Sequence, residues 1–153
     1  PLVKPGKDQS VAGEIILSTG ETIAGDISTT PGKPLRIWAE EERQYYDVNI
    51  ADIREIRASV LWEREEREWH FIASGSDIKE YTDKTYPARE TQYTFVLRDG
   101  KEVTGGVAAP LYVQTPEGQQ RFILHKRNKG QAGETLNDLV YVKMVRFSDR
   151  NTP

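Results

Sequence analysis

The residue types of a nucleophile, a base and an acid occur together in one short segment. His70 is followed by Ser74, Ser76 and Asp77, and a serine hydrolase uses these three kinds of side chain to attack a carbonyl carbon. A catalytic triad is defined by its geometry in space, which neighbouring chain positions rarely supply. The sequence also has no G-x-S-x-G motif and no H-E-x-x-H motif. A hydrolase is therefore a distant alternative.

Metal and cofactor sites find little support in the sequence. The chain has no cysteine and only two histidines, His70 and His125, and neither lies in a zinc-binding motif. Asp77, Glu80 and Asp83 form only a faint version of a calcium loop, and the glycine-rich phosphate-binding motifs are absent. We predict no catalytic residue, no metal and no cofactor, and a protein that is not an enzyme. A metal-dependent enzyme stays a distant alternative.

One basic segment has the chemistry of an anion-binding surface. Residues 118–133 contain Arg121, Lys126, Arg127 and Lys129 and no acidic residue. A basic strand followed by a glycine-containing loop can hold phosphate groups or an acidic protein surface. We predict that these four residues are candidate binding residues, and the alternative is that the segment is a solubilising loop.

The distribution of charge favours a protein partner over nucleic acid. The net charge is −3, whereas a dedicated duplex-DNA binder is strongly basic. Residues 1–75 hold nine basic and fourteen acidic side chains, and residues 76–153 hold twelve and ten. The acidic first half could therefore face the basic segment within one chain or between two chains. We predict a protein partner or self-association into a homo-oligomer.

The hydropathy of the chain is typical of a soluble protein. Hydrophobic residues make up 37%, charged residues make up 29%, and the mean hydropathy is −0.66. No apolar run approaches the roughly 18 residues of a transmembrane helix, so we predict no membrane span. The chain begins at Pro1 without the basic and apolar regions of a signal peptide. We expect a soluble protein of the cytoplasm or the periplasm.

The elements that position these residues occur twice, which predicts an internal duplication. Residues 14–27 align without gaps on residues 94–107, and residues 51–57 align on residues 140–146. The second copy thus has about nine additional residues, which we place near residues 128–133 because of their loop composition. Three positions of the first alignment are identical: Leu17 and Leu97, Gly20 and Gly100, and Gly25 and Gly105.

Each first block has the pattern of a β-hairpin. Apolar residues bracket short turns centred on Gly20 and Gly100, and a glycine there supplies the positive φ that tight hairpin loops require. Gly25 and Gly105 lie within the second strand of each hairpin. Glycine inside a strand indicates a bend or the close approach of another strand, and we predict one of these at both positions.

The pattern Leu-x-x-Gly-x-x-apolar-x-Gly-x-apolar, at residues 17–27 and 97–107, resembles the first half of the Sm1 motif of Sm-like proteins. The later segments Ile56-Arg57-Ala58 and Val145-Arg146-Phe147 are similar to the family's second motif, apolar-Arg-Gly, with another residue in place of glycine. The resemblance implies small, strongly bent SH3-like barrels of five strands. It also implies that Arg57 and Arg146 are candidate contacts for single-stranded RNA. The family's Asp and Asn after the bent strand are absent from residues 28–32 and 108–110.

We predict an all-β protein of two tandem SH3-like (Sm-like) barrels, at residues 10–72 and 90–150. Residues 73–89 are expected to form a linker or junction strands. The predicted function is a non-enzymatic binding or assembly module, and the alternative is a single-stranded RNA-binding protein that uses Arg57, Arg146 and the basic segment. We expect function to reside in site residues, because a fold does not determine it.

The junction between the copies has two interpretations. In residues 62–69 two tryptophans flank six charged residues, and Trp62, Glu66 and Trp69 would share one face of two helical turns, but residues 69–72 favour a strand. We prefer strands that flank a charged hairpin, with turns at residues 74–77 and at Tyr86-Pro87. The tryptophans Trp38, Trp62 and Trp69 are expected to fill the core and the seam between the copies. A stacking platform is their alternative role.

Overall fold

The computed structural model describes residues 10–148, which form one antiparallel β-sheet that is not closed. The predicted all-β class is therefore confirmed. None of the helices in the described part has the length and apolar character that a membrane crossing requires. Two 3₁₀ helices occur, at Ile50–Asp52 and Leu136–Asp138. The strands are β1 (Val11–Leu17), β2 (Thr22–Ser28), β3 (Leu35–Ala39), β4 (Gln44–Val48), β5 (Ile53–Phe71), β6 (Lys79–Leu97), β7 (Glu102–Gly106), β8 (Ala109–Thr115), β9 (Gly118–Leu124), β10 (Arg127–Lys129) and β11 (Val142–Phe147).

The strand order interleaves the two halves of the chain. Neighbouring strands follow the order β4-β3-β7-β6-β5-β11-β1-β2-β8-β9, and β10 pairs with β6. Strand β2 pairs with β8, and β3 pairs with β7. Strands from residues 10–72 are therefore direct neighbours of strands from residues 90–150 in one sheet.

The strand registers repeat about the middle of the sheet. Ile56 of β5 pairs with Val145 of β11, and these two positions are aligned in the second sequence block. Ile56 also pairs with Phe95 of β6, while Val145 pairs with Ile15 of β1. Ile56 is aligned with Val145, and Phe95 is aligned with Ile15, so the two pairs occupy equivalent positions in the repeats.

The repeated glycines have the local structures that the sequence predicts. Gly20 and Gly100 have φ values of 94° and 93° in the two hairpin turns. A Cβ added to Gly25 would overlap the carbonyl oxygen of Gln114, and one added to Gly105 would overlap that of Trp38. The prediction of a close approach by another strand is therefore confirmed at both positions.

The core is mainly aliphatic, and the tryptophans are not part of it. Its largest aromatic side chains are Tyr93, Phe95 and Phe147, surrounded by isoleucine, leucine and valine from both halves. Trp38 and Trp62 are half-buried, and Trp69 is exposed. None of the three belongs to the buried core, so the expectation that the tryptophans fill it is wrong.

The junction forms a long two-stranded arm. Strands β5 and β6 pair from Ile53–Leu97 to Phe71–Lys79 and reverse through residues 72–78. The expectation of strands and of a turn at 74–77 is confirmed, and the helical alternative is wrong. The charged residues 63–68 lie inside β5, and Tyr86 and Pro87 lie inside β6, so the turns predicted there are wrong. We call residues 60–90 the arm and residues 69–81 its tip.

Candidate interaction surfaces

The structure separates the four residues of the basic segment. Arg121 lies on β9, opposite Tyr112, and lines a hollow with His125 and Tyr141. Lys126 follows β9 and lies over Gly106, at the other side of the hairpin. Arg121 and Lys126 therefore line two different hollows, although they are only five residues apart in the chain.

Arg127 and Lys129 lie at the base of the arm. Strand β10 pairs with β6 at residues 88–90, which places the Arg127 guanidinium 3.4 Å from a carboxylate oxygen of Glu90. The same guanidinium lies 5.2 Å from the ring centre of Trp62. The Lys129 ammonium lies 5.9 Å from the ring centre of Tyr86. These two cations therefore cover aromatic side chains of the arm.

Arg57 and Arg146 share one face of the central strands, where carboxylates accompany them. Arg57 lies 3.2 Å from Glu55 and 3.6 Å from Glu102, and Arg146 lies 3.8 Å from Glu14. Glu55 is also the cross-strand partner of Arg146, and cross-strand neighbours point to the same face. An RNA phosphate at this face would meet carboxylates beside both arginines.

A buried arginine fixes the second 3₁₀ helix to the arm. The Arg89 side chain is 7% exposed, and its Nε donates to Glu63 at 2.8 Å. Its other nitrogens donate to the carbonyl oxygens of Leu136, at 3.2 Å, and of Leu139. A buried guanidinium needs such partners because its desolvation is costly. Arg89 therefore holds the base of the arm against the second 3₁₀ helix.

A polar network continues along the same part of the arm. The Tyr86 hydroxyl donates to Glu66 at 2.7 Å, and Arg64 Nε donates to the other Glu66 oxygen at 2.6 Å. Both hydrogen bonds favour the charged carboxylate, so they lower the pKa of Glu66, and the first raises the pKa of Tyr86. The charged run of β5 thus makes ordered contacts within the arm.

The arm carries most of the exposed apolar surface of the described chain. Seven of the nine large hydrophobic residues exposed among residues 10–148 lie on it, with exposed fractions between 37% and 59%. At the tip, Trp69 and Phe71 contact edge to face, with ring centres 5.1 Å apart. The seven residues are Val60, Leu61, Trp69, Phe71, Ile72, Ile78 and Tyr81.

Most of the tip has no further strand beside it. The loop after β10 runs along β6 as far as Thr85, since Gly130 N–H donates to the Pro87 carbonyl and Gly133 N–H donates to that of Thr85, and Trp69 lines a hollow with this loop. Within residues 10–148, residues 79–84 pair only with β5, so the end of the arm is a two-stranded ribbon. An isolated two-stranded ribbon is marginally stable in water, and contiguous exposed apolar patches commonly mark interaction sites. The tip is therefore a candidate protein-binding surface.

A second candidate surface is a groove beside the β3–β4 hairpin. It has a volume of about 460 Å³. Trp38 and Tyr45 are cross-strand partners on β3 and β4, with ring centres 4.8 Å apart, and the Arg36 guanidinium lies 4.3 Å from the Tyr45 ring centre. We call this surface the cationic groove, and its lining residues are Arg36, Trp38, Tyr45, Gly106, Val107, Ala108 and Lys126.

The two histidines lie in different parts of the described structure. His70 Nε2 lies 2.9 Å from Glu80 on the exposed arm. Burial lowers the pKa of His125, which is the other histidine of the chain. No cluster of three or more potential metal ligands occurs among residues 10–148.

Sequence reasoning missed most of the tip and the aromatic part of the groove. The tip has a readable signal, because Phe71-Ile72 and Ile78 flank the turn-forming residues 73–77. The groove has one as well, since Arg36 and Trp38 alternate with the buried Leu35 and Ile37.

Comparison of the chain with protein-family models, curated proteins and solved structures finds no match in any of the three.

Proposed function

We propose that the chain is a non-enzymatic binding or assembly module that contacts a protein surface through the tip of its arm. The observation that carries this proposal is the concentration of exposed apolar residues on one projecting ribbon. Burial of apolar area drives most protein association, and aromatic residues are enriched at the centres of interfaces. Trp69, Phe71 and Tyr81 provide such residues at the tip.

We further propose that the arm projects from two Sm-like units that exchange strands. From the centre of the sheet outward, the order is β5-β6-β7-β3-β4 in one direction and β11-β1-β2-β8-β9 in the other. Each unit would combine the first hairpin of one repeat with the second hairpin and last strand of the other. The repeated registers and the paired glycines Gly25 and Gly105 support this interpretation. The exchange would tie the repeats into one body from which the arm emerges.

Single-stranded RNA is the less favoured partner. Glu55, Glu102 and Glu14 lie beside the two arginines that the Sm-like resemblance nominates, and the net charge is −3. Phosphate contacts supply much of the affinity of nucleic-acid binding, so these carboxylates oppose it. We expect weak or absent binding to oligouridine or oligoadenine at physiological salt.

The test replaces the apolar residues of the tip. The variant F71S/I72S/I78S removes three side chains that are about half exposed, so we expect little change in folding stability. A matched control, V60S/L61S/V140S, removes three exposed apolar side chains outside the tip. Both variants and the wild type are compared by sedimentation velocity, and by capture of partners from nuclease-treated lysate.

We expect the wild type and the control to self-associate or to retain the same captured protein, and the tip variant to lose that contact. Sedimentation distinguishes a second copy from another protein. The proposal is wrong if the tip variant keeps every contact, if the control loses them equally, or if nuclease treatment abolishes them.

A further inference from the structure

We infer that the cationic groove binds an acidic peptide segment, in which one carboxylate stands next to an aromatic side chain. This inference rests on the proposed protein-binding function and names the chemistry of a partner segment. The groove is separate from the tip, so the two surfaces can be tested independently.

The two cations of the groove are available to a ligand. Within residues 10–148, no carboxylate oxygen lies within 4.0 Å of the side-chain nitrogens of Arg36 or Lys126. Arg36 places its guanidinium 4.3 Å from the centre of the Tyr45 ring, which is a contact with an aromatic ring and not with a carboxylate. The N–H groups at its edge can still bind a carboxylate through two parallel hydrogen bonds.

The groove, with a volume of about 460 Å³, has room for an apolar side chain. Gly106 pairs with Trp38 across β7 and β3. The methylene groups of Lys126 lie over this glycine, since a Cβ built on it would lie 3.2 Å from the Lys126 Cδ, so the lysine stem forms the wall of the groove beside Trp38. The alkyl stem of a lysine can pack on apolar groups while its ammonium remains in water. An aromatic side chain of the peptide would thus lie between Trp38 and Lys126.

The charges next to the groove disfavour a continuous polyanion. The loop between β3 and β4 contains Glu40, Glu41 and Glu42, all exposed. A nucleic-acid strand that ran along the hairpin would bring successive phosphates near these carboxylates, and like charges repel. Asp47 pairs with Arg36 across β3 and β4, so any bound anion also meets this carboxylate. A segment with a single carboxylate therefore meets less repulsion at Arg36 and Lys126 than a strand of successive phosphates would.

The corresponding positions in the other half of the sheet lack this chemistry. Gln114 pairs with Asp26 where Trp38 pairs with Gly106, and Gln114 also pairs with Gln119 where Trp38 pairs with Tyr45. The repeated register alone therefore does not require aromatic and cationic residues at these places.

The experiment uses the Trp38 indole as a reporter in the full chain. The protein has three tryptophans, so its ¹H–¹⁵N spectrum contains three indole N–H signals, and the variant Trp38→Phe assigns the one from Trp38. The probe is the blocked tetrapeptide acetyl-Gly-Phe-Glu-Gly-amide. The control ligands are the neutral Gly-Phe-Gln-Gly peptide, the Gly-Ala-Glu-Gly peptide, which lacks the aromatic ring, and a uridine tetranucleotide.

We expect the acidic aromatic peptide to shift the Trp38 signal saturably and to leave the signals of Trp62 and Trp69 in place. Charge-assisted hydrogen bonds contribute more than neutral ones, so the neutral peptide should bind about tenfold more weakly. Arg36→Gln and Lys126→Gln should each weaken binding about fivefold or more by the same principle. Arg121→Gln, which removes an equal charge on β9, should have no effect.

The inference is overturned if the neutral peptide binds equally well, if Arg36→Gln and Lys126→Gln both leave binding unchanged, or if only the tetranucleotide shifts the Trp38 signal. The peptide titration does not involve the tip. Loss of partner capture in F71S/I72S/I78S alongside an intact Trp38 response therefore supports both proposals. If F71S/I72S/I78S still captures the partner, the proposed use of the tip is refuted. The peptide titration then decides the inference about the cationic groove alone.

Discussion

Two adjacent glycines of β7 allow a direct test of the close approach between β3 and β7. A Cβ at Gly105 would overlap the backbone carbonyl group of Trp38, whereas a Cβ at Gly106 would contact only methylene groups of the flexible Lys126 side chain, at 3.2 Å and beyond. The variants Gly105→Ala and Gly106→Ala therefore add the same methyl group to neighbouring positions of one strand. The two variants differ in what the new methyl group meets, which is fixed backbone at position 105 and a movable side chain at position 106.

The expected magnitude follows from this difference. Replacing glycine by alanine stabilises a compatible site by roughly 0.4–1 kcal/mol through the unfolded state, and both variants share this gain. Overpacking against an immobile neighbour costs about 1–3 kcal/mol. Displacement of β3 would also weaken its hydrogen bonds to β7, at about 1 kcal/mol each. We expect Gly105→Ala to lose about 2 kcal/mol of unfolding free energy and Gly106→Ala to remain within about 1 kcal/mol of wild type.

The measurement is urea unfolding followed by tryptophan fluorescence, with m-values compared so that a change in midpoint reports stability alone. For a chain of this size, a loss of about 2 kcal/mol lowers Tm by roughly 4–8 °C. Gly25→Ala should behave like Gly105→Ala, because its Cβ would overlap the Gln114 carbonyl oxygen. Equal midpoints for the Gly105 and Gly106 variants would refute the proposed contact between the strands.

Three further predictions concern pH, the arm and the basic segment. Burial raises the pKa of Tyr93 to about 12, so the stability that its neutral hydroxyl contributes is complete below pH ~10 and is lost between pH ~10 and ~12. In that range the unfolding free energy of the wild type should fall, relative to that of Tyr93→Phe, by up to about 1.4 kcal/mol per pH unit. Parallel pH profiles of the two proteins would contradict this. Arg89→Met removes the hydrogen bonds to Glu63 and to the Leu136 and Leu139 carbonyl groups, so urea unfolding should show a loss of about 2–4 kcal/mol. Unchanged amide exchange of Leu139 would argue against the anchoring role. The reversal K126E/R127E/K129E should change stability by less than about 1 kcal/mol in the same assay, because the one ion pair that it breaks, Arg127 with Glu90, has an exposed arginine. Global unfolding would show that these cations are structural.

The sequence predicts the hairpins well because their determinants are local. A glycine with positive φ at position 20 or 100 is required by the turn itself. The choice of partner strands is not local: β2 presents the same backbone groups whether it pairs with β3 or with β8. The sequence therefore does not distinguish strands paired within one repeat from strands paired between repeats, and the observed pairing of β2 with β8 could not be derived from it.

The arm shows a different limit of sequence reasoning. Residues 62–69 place charges at spacings that suit a helix as well as a strand. Their extended state depends on pairing with residues 81–90 across a long hairpin, and this contact lies outside any local window. Their apolar character alone predicts that the tryptophans are buried, yet Trp62 is half-buried and Trp69 is exposed on the arm. Hydrophobicity predicts burial only where the topology supplies a covering layer.

The candidate sites depend on the connection that the second repeat has and the first lacks. Asn49 alone joins β4 to the first 3₁₀ helix, whereas residues 125–135 join β9 to the second. This longer segment places Lys126 in the cationic groove, and it places Arg127 and Lys129 against the base of the arm. Adjacent residues of one segment thus contribute to the cationic groove and to the base of the arm that carries the tip. Because surface loops tolerate insertions better than strands do, an insertion here could add new contacts without disturbing the core shared by the two halves.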